Sequence, residues 1–358
     1  MNKKMLKVLG AGGLALFMGL GTLCGVLLAP MSGSAAATMT SQDNSTTNLS
    51  AEAQAKAELD ANILAGGGLG LDPENDPVIY TTETGIDIKF HQVGTMGSGG
   101  LKGYPYVTMG TYQSAAVNWI IIGQNVRSLF VSDTSPAANA IYTDVEKGKT
   151  CYINTNSAGP SPIQYYTNVV KNTSELSSGE ILLISQYPFN FSFFQDGSNG
   201  TYYEGSKLQS TILAYYNSGL GLTTAQKNLI VGKNLVQFAY DKTTSSSNQK
   251  MFTLATKTTR YGSHPTLVAS QNFCIETYLS TDALRVAEKH PNLSANYAAY
   301  LQTYWTRTGF ESGTAAGSSY AYYISETGAI SSRAGRESYS NYPNGIVAVR
   351  PCFVMKCK

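Results

Sequence analysis

From Val78 to the C-terminus, apolar positions come in short runs rather than long helical stripes. VIYTT, IDIKF, YPYVTMG, VNWIIIG, RSLFVS, EILLIS, MFTLAT, YAYYIS and IVAVRPCFV are rich in β-branched and aromatic residues, with Gly, Asn and Ser between them. Runs of this kind predict short strands bounded by turns. Three stretches carry helical spacing instead. SKLQSTILAYYNS places Leu208, Ile212, Tyr215 and Tyr216 on one stripe. TTAQKNLIV opens with Thr223 and Gln226 at capping-box spacing. STDALRVAEKH has Asp282 in its first turn and Lys289 and His290 in its last, as the helix dipole favours. The mixture predicts an α+β domain of short strands over residues 78–358, with no internal repeat.

The N-terminal segment has a different pattern. Lys3, Lys4 and Lys7 precede an uncharged apolar run that ends at Pro30, and SGSAAA follows with Ala35 and Ala37 at small-residue positions. Basic start, apolar core and small-residue exit form a secretory signal. The run, over residues 8–30, is also long enough to span a bilayer, so residues 1–37 read as a signal peptide or as an uncleaved anchor. In both cases the lysines keep the N-terminus inside and the rest of the chain is exported. Cys24, in GTLCG, lacks the leucine three residues earlier that a lipid-modified cysteine usually has. Residues 38–77 read as a polar tether, an alanine-rich helix capped by Ser50, and a Gly-rich linker, GGGLGLDPENDP. The acids of that linker, Asp72, Glu74 and Asp76, lack the register of a calcium loop and read as solvated.

Composition narrows the function classes. Only 13% of residues are charged, and there are 24 Tyr, which suits an exported β-rich protein. Removing residues 1–37 takes away three lysines and no acid, so the formal charge falls from +2 to −1. A near-neutral chain lacks the basic surface that nucleic acid requires. Cys151, Cys274, Cys352 and Cys357 have no CxxC spacing, and His91, His264 and His290 are distant from them in sequence, so no metal or other cofactor is expected. The four thiols fit one or two disulfides or isolated buried cysteines equally well. No Gly-x-Ser-x-Gly elbow is present. Glu180, Asp196, Glu204, Glu276 and Glu326 match the acids of a glycosidase by residue type alone.

Two features point to ligand binding. QDGSNGTYYEGS offers oxygen ligands at Asp196 and Asn199 and aromatic faces at Tyr202 and Tyr203, a combination that suits a sugar's hydroxyl edges and apolar face. GIVAVRPCFV puts Arg350 inside an apolar strand. Its guanidinium reads as an internal clasp between the closing strand and the segment around Trp305, or with Arg307 as part of an anion or sugar-acid pocket. An interior guanidinium must in any case have partners. Pro351 lacks an N–H and favours a bulge or strand edge there.

Taken in order, these stretches resemble the bacterial domain of unknown function 6273 family. YVTMGTYQSAAVNWIIIG resembles its opening, with Gly110, Tyr112 and Trp119 at family-like positions. GEILLISQYPF resembles its next buried strand, and GSKLQSTILAYYNSGLGLTTAQKNLI its capped helix pair. QKMFTLATKTTRYG departs at Ala255, and YWTRT at Thr306 and Thr308. GIVAVRPCFV resembles its closing strand. The resemblance spans about residues 104–354 and transfers no activity. By analogy it implies a C-type-lectin-like or formylglycine-generating-enzyme-like layout. The expectation is therefore a secreted or surface-displayed, non-catalytic module that binds a glycan, a cell-wall component or a surface protein. A secreted hydrolase of cell-envelope polymers and a structural subunit of a surface assembly are the alternatives.

Overall fold

The computed structural model describes residues 69–82, 85–95, 101–125, 142–144, 149–151, 153–154, 165–167, 170–195, 202–239, 242–257, 270–290, 302–309, 320–334 and 347–357. Residues 1–37, the polar tether, the alanine-rich helix and the expected RSLFVS strand lie outside them. The strands, in chain order, are β1 (Val78–Thr81), β2 (Asp87–Thr95), β3 (Leu101–Tyr112), β4 (Ala115–Asn125), β5 (Tyr142–Asp144), β6 (Lys149–Cys151), β7 (Ile153–Asn154), β8 (Tyr165–Thr167), β9 (Lys171–Asn172), β10 (Glu180–Ser185), β11 (Phe191–Ser192), β12 (Ile230–Val231), β13 (Lys233–Ala239), β14 (Lys242–Gln249), β15 (Tyr304–Gly309), β16 (Tyr320–Ile324), β17 (Ile330–Ala334), β18 (Val347–Ala348) and β19 (Cys352–Lys356). The helices are α1 (Lys207–Ala214), which runs on as a π turn over Tyr215–Gly219, α2 (Thr224–Leu229), α3 (Ile275–Tyr278) and α4 (Asp282–Arg285). Among the described residues no helix is long and apolar enough to cross a membrane.

The largest sheet runs β1-β2-β3-β4-β10-β19-β12 and is antiparallel along that path, with β7, β8 and β9 added in parallel off it. The second sheet runs β11-β18-β15-β16-β17. The molecule is thus strand-rich with few helices, in mainly antiparallel sheets. β4 and β10 are buried along nearly their whole length. That is why VNWIIIG and EILLIS lack the alternation of half-exposed strands: they are central and covered on both faces.

The closing segment joins the two sheets. β18 pairs with β11 and β15, and four residues later β19 pairs with β10 and β12. Val349, Arg350 and Pro351 make the crossing. Phe189 N donates to the Val349 carbonyl at 2.7 Å and Ser185 N to the Pro351 carbonyl at 3.0 Å. The missing N–H of Pro351 therefore falls where no ladder bond is needed.

Two tryptophans anchor the core. Trp119 packs edge-on against Phe353 at 4.7 Å between ring centroids and donates Nε1–H to the Met109 carbonyl at 2.8 Å. Trp305 meets Phe194 at 5.7 Å and donates to the Ser192 carbonyl at 2.8 Å. Gly110, at φ +76°, follows Met109. A side-chain carbon there would lie 2.5 Å from the Leu220 carbonyl, which Thr111 N bonds at 2.7 Å. Only glycine admits that approach.

The helix expectations hold in part. Ser206 caps α1 through Gln209 N, with Leu208 and Ile212 buried. Thr223 and Gln226 close a reciprocal capping box on α2. The helix expected over STDALRVAEKH is corrected: α4 covers only four residues, and Val286 is already extended. The Arg285 carbonyl is taken by the Tyr304 hydroxyl at 2.6 Å and by Arg350 Nη1 at 3.2 Å. MFTLAT is also corrected, since it makes isolated bridges at Phe252 and Ala255 rather than a ladder. The polar TTSSSNQ, which has no strand-like apolar alternation, forms β14. Cys274, Cys352 and Cys357 are buried, and no disulfide joins Cys352 to Cys357.

Candidate functional site

Of the linker acids, Asp72 and Glu74 are exposed as expected, but Asp76 is drawn against the sheet, and that correction exposes a site. Leu69 and Leu71 pack against the core, which draws residues 69–77 onto the large sheet. Asp76 then meets His91 of β2: Nδ1 lies 2.9 Å and 3.1 Å from its two carboxylate oxygens. The Tyr106 hydroxyl of β3 donates to Asp76 Oδ2 at 2.7 Å, and Asp72 N donates to the same oxygen at 2.9 Å. Lys89 reaches back to the Pro73 carbonyl. Register makes this possible, because Lys89 pairs with Tyr106 and His91 with Tyr104, so these side chains share a face. The backbone at Gly70 covers the other side of the ring, where a side-chain carbon would lie 3.4 Å from His91 Nε2.

A second row of polar groups begins on the neighbouring strands. Thr108 Oγ1 donates to Asn118 Oδ1 at 2.7 Å across a directly paired position of β3 and β4. Asn118 Nδ2 donates to Gln186 Oε1 at 2.9 Å, and Gln186 Nε2 donates to Glu288 Oε2 at 2.8 Å. Leu69 N closes the row on Glu288 Oε1 at 2.6 Å. Each donor is oriented by the next acceptor, so both amides are fixed. Burial pushes the Glu288 carboxyl above the ordinary glutamate range, offset in part by Leu69 N–H, Gln186, Arg350 and His91. His91 is near enough to Glu288 for their charges to interact. Asp76, His91, Thr108 and Glu288 are half-buried, while Asn118 and Gln186 are 8% exposed.

The residues expected to bind ligand fall elsewhere. Asp196 and Asn199 lie outside the described residues. Tyr202 is half-buried; Tyr203 is fully buried and so offers no stacking face to solvent. Arg350 is a clasp with 3% exposure. It donates from Nε to the Ser185 carbonyl at 2.8 Å, from Nη1 to the Arg285 carbonyl at 3.2 Å and the Tyr304 hydroxyl at 3.3 Å, and from Nη2 to the Gln186 carbonyl at 3.5 Å. Its guanidinium stands 5.0 Å over the Tyr304 ring, next to Trp305. Arg307 is fully buried against a separate set of carbonyls. Both guanidiniums are withdrawn from solvent. The structure brings Tyr203 near Arg307 in the core, while Arg350 binds a different set of carbonyls.

Sequence reasoning missed the Asp76–His91 pair and the Glu288 row. No spacing announces them, because the pairing depends on a Gly-rich segment folding back onto a strand. The one available signal was Leu69 and Leu71, two apolar residues in an otherwise polar linker. Among the described residues no group of three or more His, Cys, Asp or Glu is placed to hold a metal ion. No protein-family model, curated protein or solved structure matches this chain.

Proposed function

We propose that this chain is an exported, surface-displayed binding module of C-type-lectin-like layout, akin to the domain of unknown function 6273 family, that takes a glycan or cell-wall polymer on the face carrying Asp76, His91, Thr108, Asn118, Gln186 and Glu288. The carrying observation is the oriented row from Thr108 to Glu288 beside the Asp76–His91 pair. Sugar hydroxyls need donors and acceptors held in fixed directions, and fixed amides and carboxylates supply both at little entropic cost. The N-terminal segment supports export. The crossing of the closing strand between the two sheets supports the lectin-like layout. The test is binding of the purified chain to glycan and cell-wall arrays. The wild type binds a subset of polyhydroxylated ligands, and Gln186→Ala weakens binding at least tenfold. Binding to nothing on either array, or undiminished binding by Gln186→Ala, sinks this reading.

One observation favours a second reading, hydrolysis of cell-envelope polymers. Glu288 is held toward its acid form by burial, while Asp76 accepts from the Tyr106 hydroxyl and the Asp72 N–H and faces the His91 ring. Two carboxyl groups in contrasting environments are what acid–base cleavage of a glycosidic bond uses. Release of soluble fragments from purified cell wall, abolished by Glu288→Gln, would promote this reading over simple binding.

A further inference from the structure

Gln186 and Glu288 are neighbours in the polar row but lie 102 residues apart in the chain. Gln186 directly follows β10. Glu288 belongs to residues 286–290, which form neither helix nor strand. Glu288 N donates to the Gln186 carbonyl at 3.3 Å, longer than the usual value of about 2.9–3.0 Å. A bond of that length is a weak means of holding an irregular segment in register with a strand.

Arg350 supplies the rest, because its planar fork reaches both segments at once. On the β10 side, Nε donates to the Ser185 carbonyl at 2.8 Å and Nη2 to the Gln186 carbonyl at 3.5 Å. On the other side, Nη1 donates to the Arg285 carbonyl at 3.2 Å, where α4 ends. The Tyr304 hydroxyl accepts from Nη1 at 3.3 Å and donates to the same Arg285 carbonyl at 2.6 Å. Gln302 Nε2 donates to the Ala287 carbonyl at 2.9 Å and steadies the residue before Glu288. The bonds of Arg350 thus go to backbone carbonyls and to Tyr304. What they fix is the separation of two backbones. The 2.8 Å bond from Gln186 Nε2 to Glu288 Oε2 depends on that separation.

We propose that Arg350 is a positioning residue for the ligand face: it holds the Gln186 and Glu288 backbones at the separation that lets their side chains bond, and so keeps the row from Thr108 to Glu288 in one orientation. This role rests on the face proposed above. It goes beyond joining the two sheets, which does not require the bond to the Arg285 carbonyl. Lysine at this position keeps the charge, but a single ammonium on a flexible stem cannot serve three carbonyls in fixed directions.

Side-chain amide signals of the nitrogen-15-labelled full chain are compared between wild type and Arg350→Lys. Gln186→Ala and Asn118→Ala identify the two signals of the row. Both are expected at dispersed positions in the wild type, and both to move toward the free-amide position and broaden in Arg350→Lys. The Asn125 amide, bonded to the Leu176 carbonyl at 2.7 Å at the far end of β4, is expected to stay in place and reports an intact fold. Affinity for the strongest array ligand is the second readout. Arg350→Lys is expected to weaken binding about fivefold, but only about twofold once Gln186→Ala is present, because groups that act through one another are not additive. If Arg350→Lys does not fold, Tyr304→Phe carries both measurements, with smaller changes in the same direction. Unmoved Gln186 and Asn118 signals, or equal fold-losses in the two backgrounds, would overturn the proposal. A wild type that binds nothing sinks the ligand reading, and the amide signals, which need no ligand, then decide whether Arg350 orders the row.

Discussion

Replacing Arg350 with methionine tests how the two sheets are joined. The substitution keeps a long apolar stem and removes every donor. Its partners are not equally harmed. The Arg285 carbonyl keeps the Tyr304 hydroxyl at 2.6 Å, and the Gln186 carbonyl keeps Glu288 N at 3.3 Å. The Ser185 carbonyl loses the 2.8 Å bond from Nε. Stripping one buried acceptor costs about 1–3 kcal/mol. The contact over the Tyr304 ring, 5.0 Å from the guanidinium, adds about 1–2 kcal/mol in a desolvated setting. The sum is about 2–5 kcal/mol, a large share of the roughly 5–15 kcal/mol that holds a typical domain. In urea, with a slope of about 3 kcal/mol per M, the midpoint should fall by about 0.7–1.7 M. Tyr304→Phe and the double variant complete a cycle, whose coupling should reach about 0.5–3 kcal/mol. A midpoint shift under about 0.3 M, or no coupling with Tyr304, would refute the clasp.

Three further outcomes are expected. Burial raises the Glu288 carboxyl, so its protonated form is favoured in the folded chain. Its stabilising contribution is then full below the ordinary glutamate value, about 4.3, and is lost as pH rises through the raised one. Glu288→Gln should flatten that decline in urea titrations run across the pH range, and an unchanged slope would contradict the burial. Trp119→Phe removes the 2.8 Å bond to the Met109 carbonyl and part of the packing on Phe353; it should cost about 2–3 kcal/mol by urea unfolding. Cys274, Cys352 and Cys357 should resist iodoacetamide in the native chain and react once urea unfolds it, as read by mass spectrometry. Rapid native labelling of Cys352 would place the closing strand outside the core.

Legibility in the sequence followed the range of the forces involved. Local signals were readable: the stripe that buries Leu208 and Ile212, the Thr223–Gln226 box, and the unbroken apolar runs of β4 and β10. Arg350 was readable because a guanidinium in an apolar strand demands interior acceptors, and carbonyls of the converging segments supply them. What failed depended on distant partners. α4 stops at Arg285 because that carbonyl serves Tyr304 and Arg350 instead of a further helical turn. β14 forms from a polar run because β13 offers an antiparallel partner along most of its length, with a register shift between Lys233 and Leu235. The Asp76–His91 pair required residues 69–77 to pack on β2 and β3, and flexible-looking glycines concealed that docking.

Hydrogen–deuterium exchange with and without the strongest array ligand tests the proposed binding face most directly. Slowed exchange is predicted in residues 69–76, 89–92, 106–108, 118–120 and 186–190, where the Asp76–His91 pair and the row to Glu288 meet solvent. Protection confined to the β16–β17 hairpin, or none with ligand bound, would contradict it.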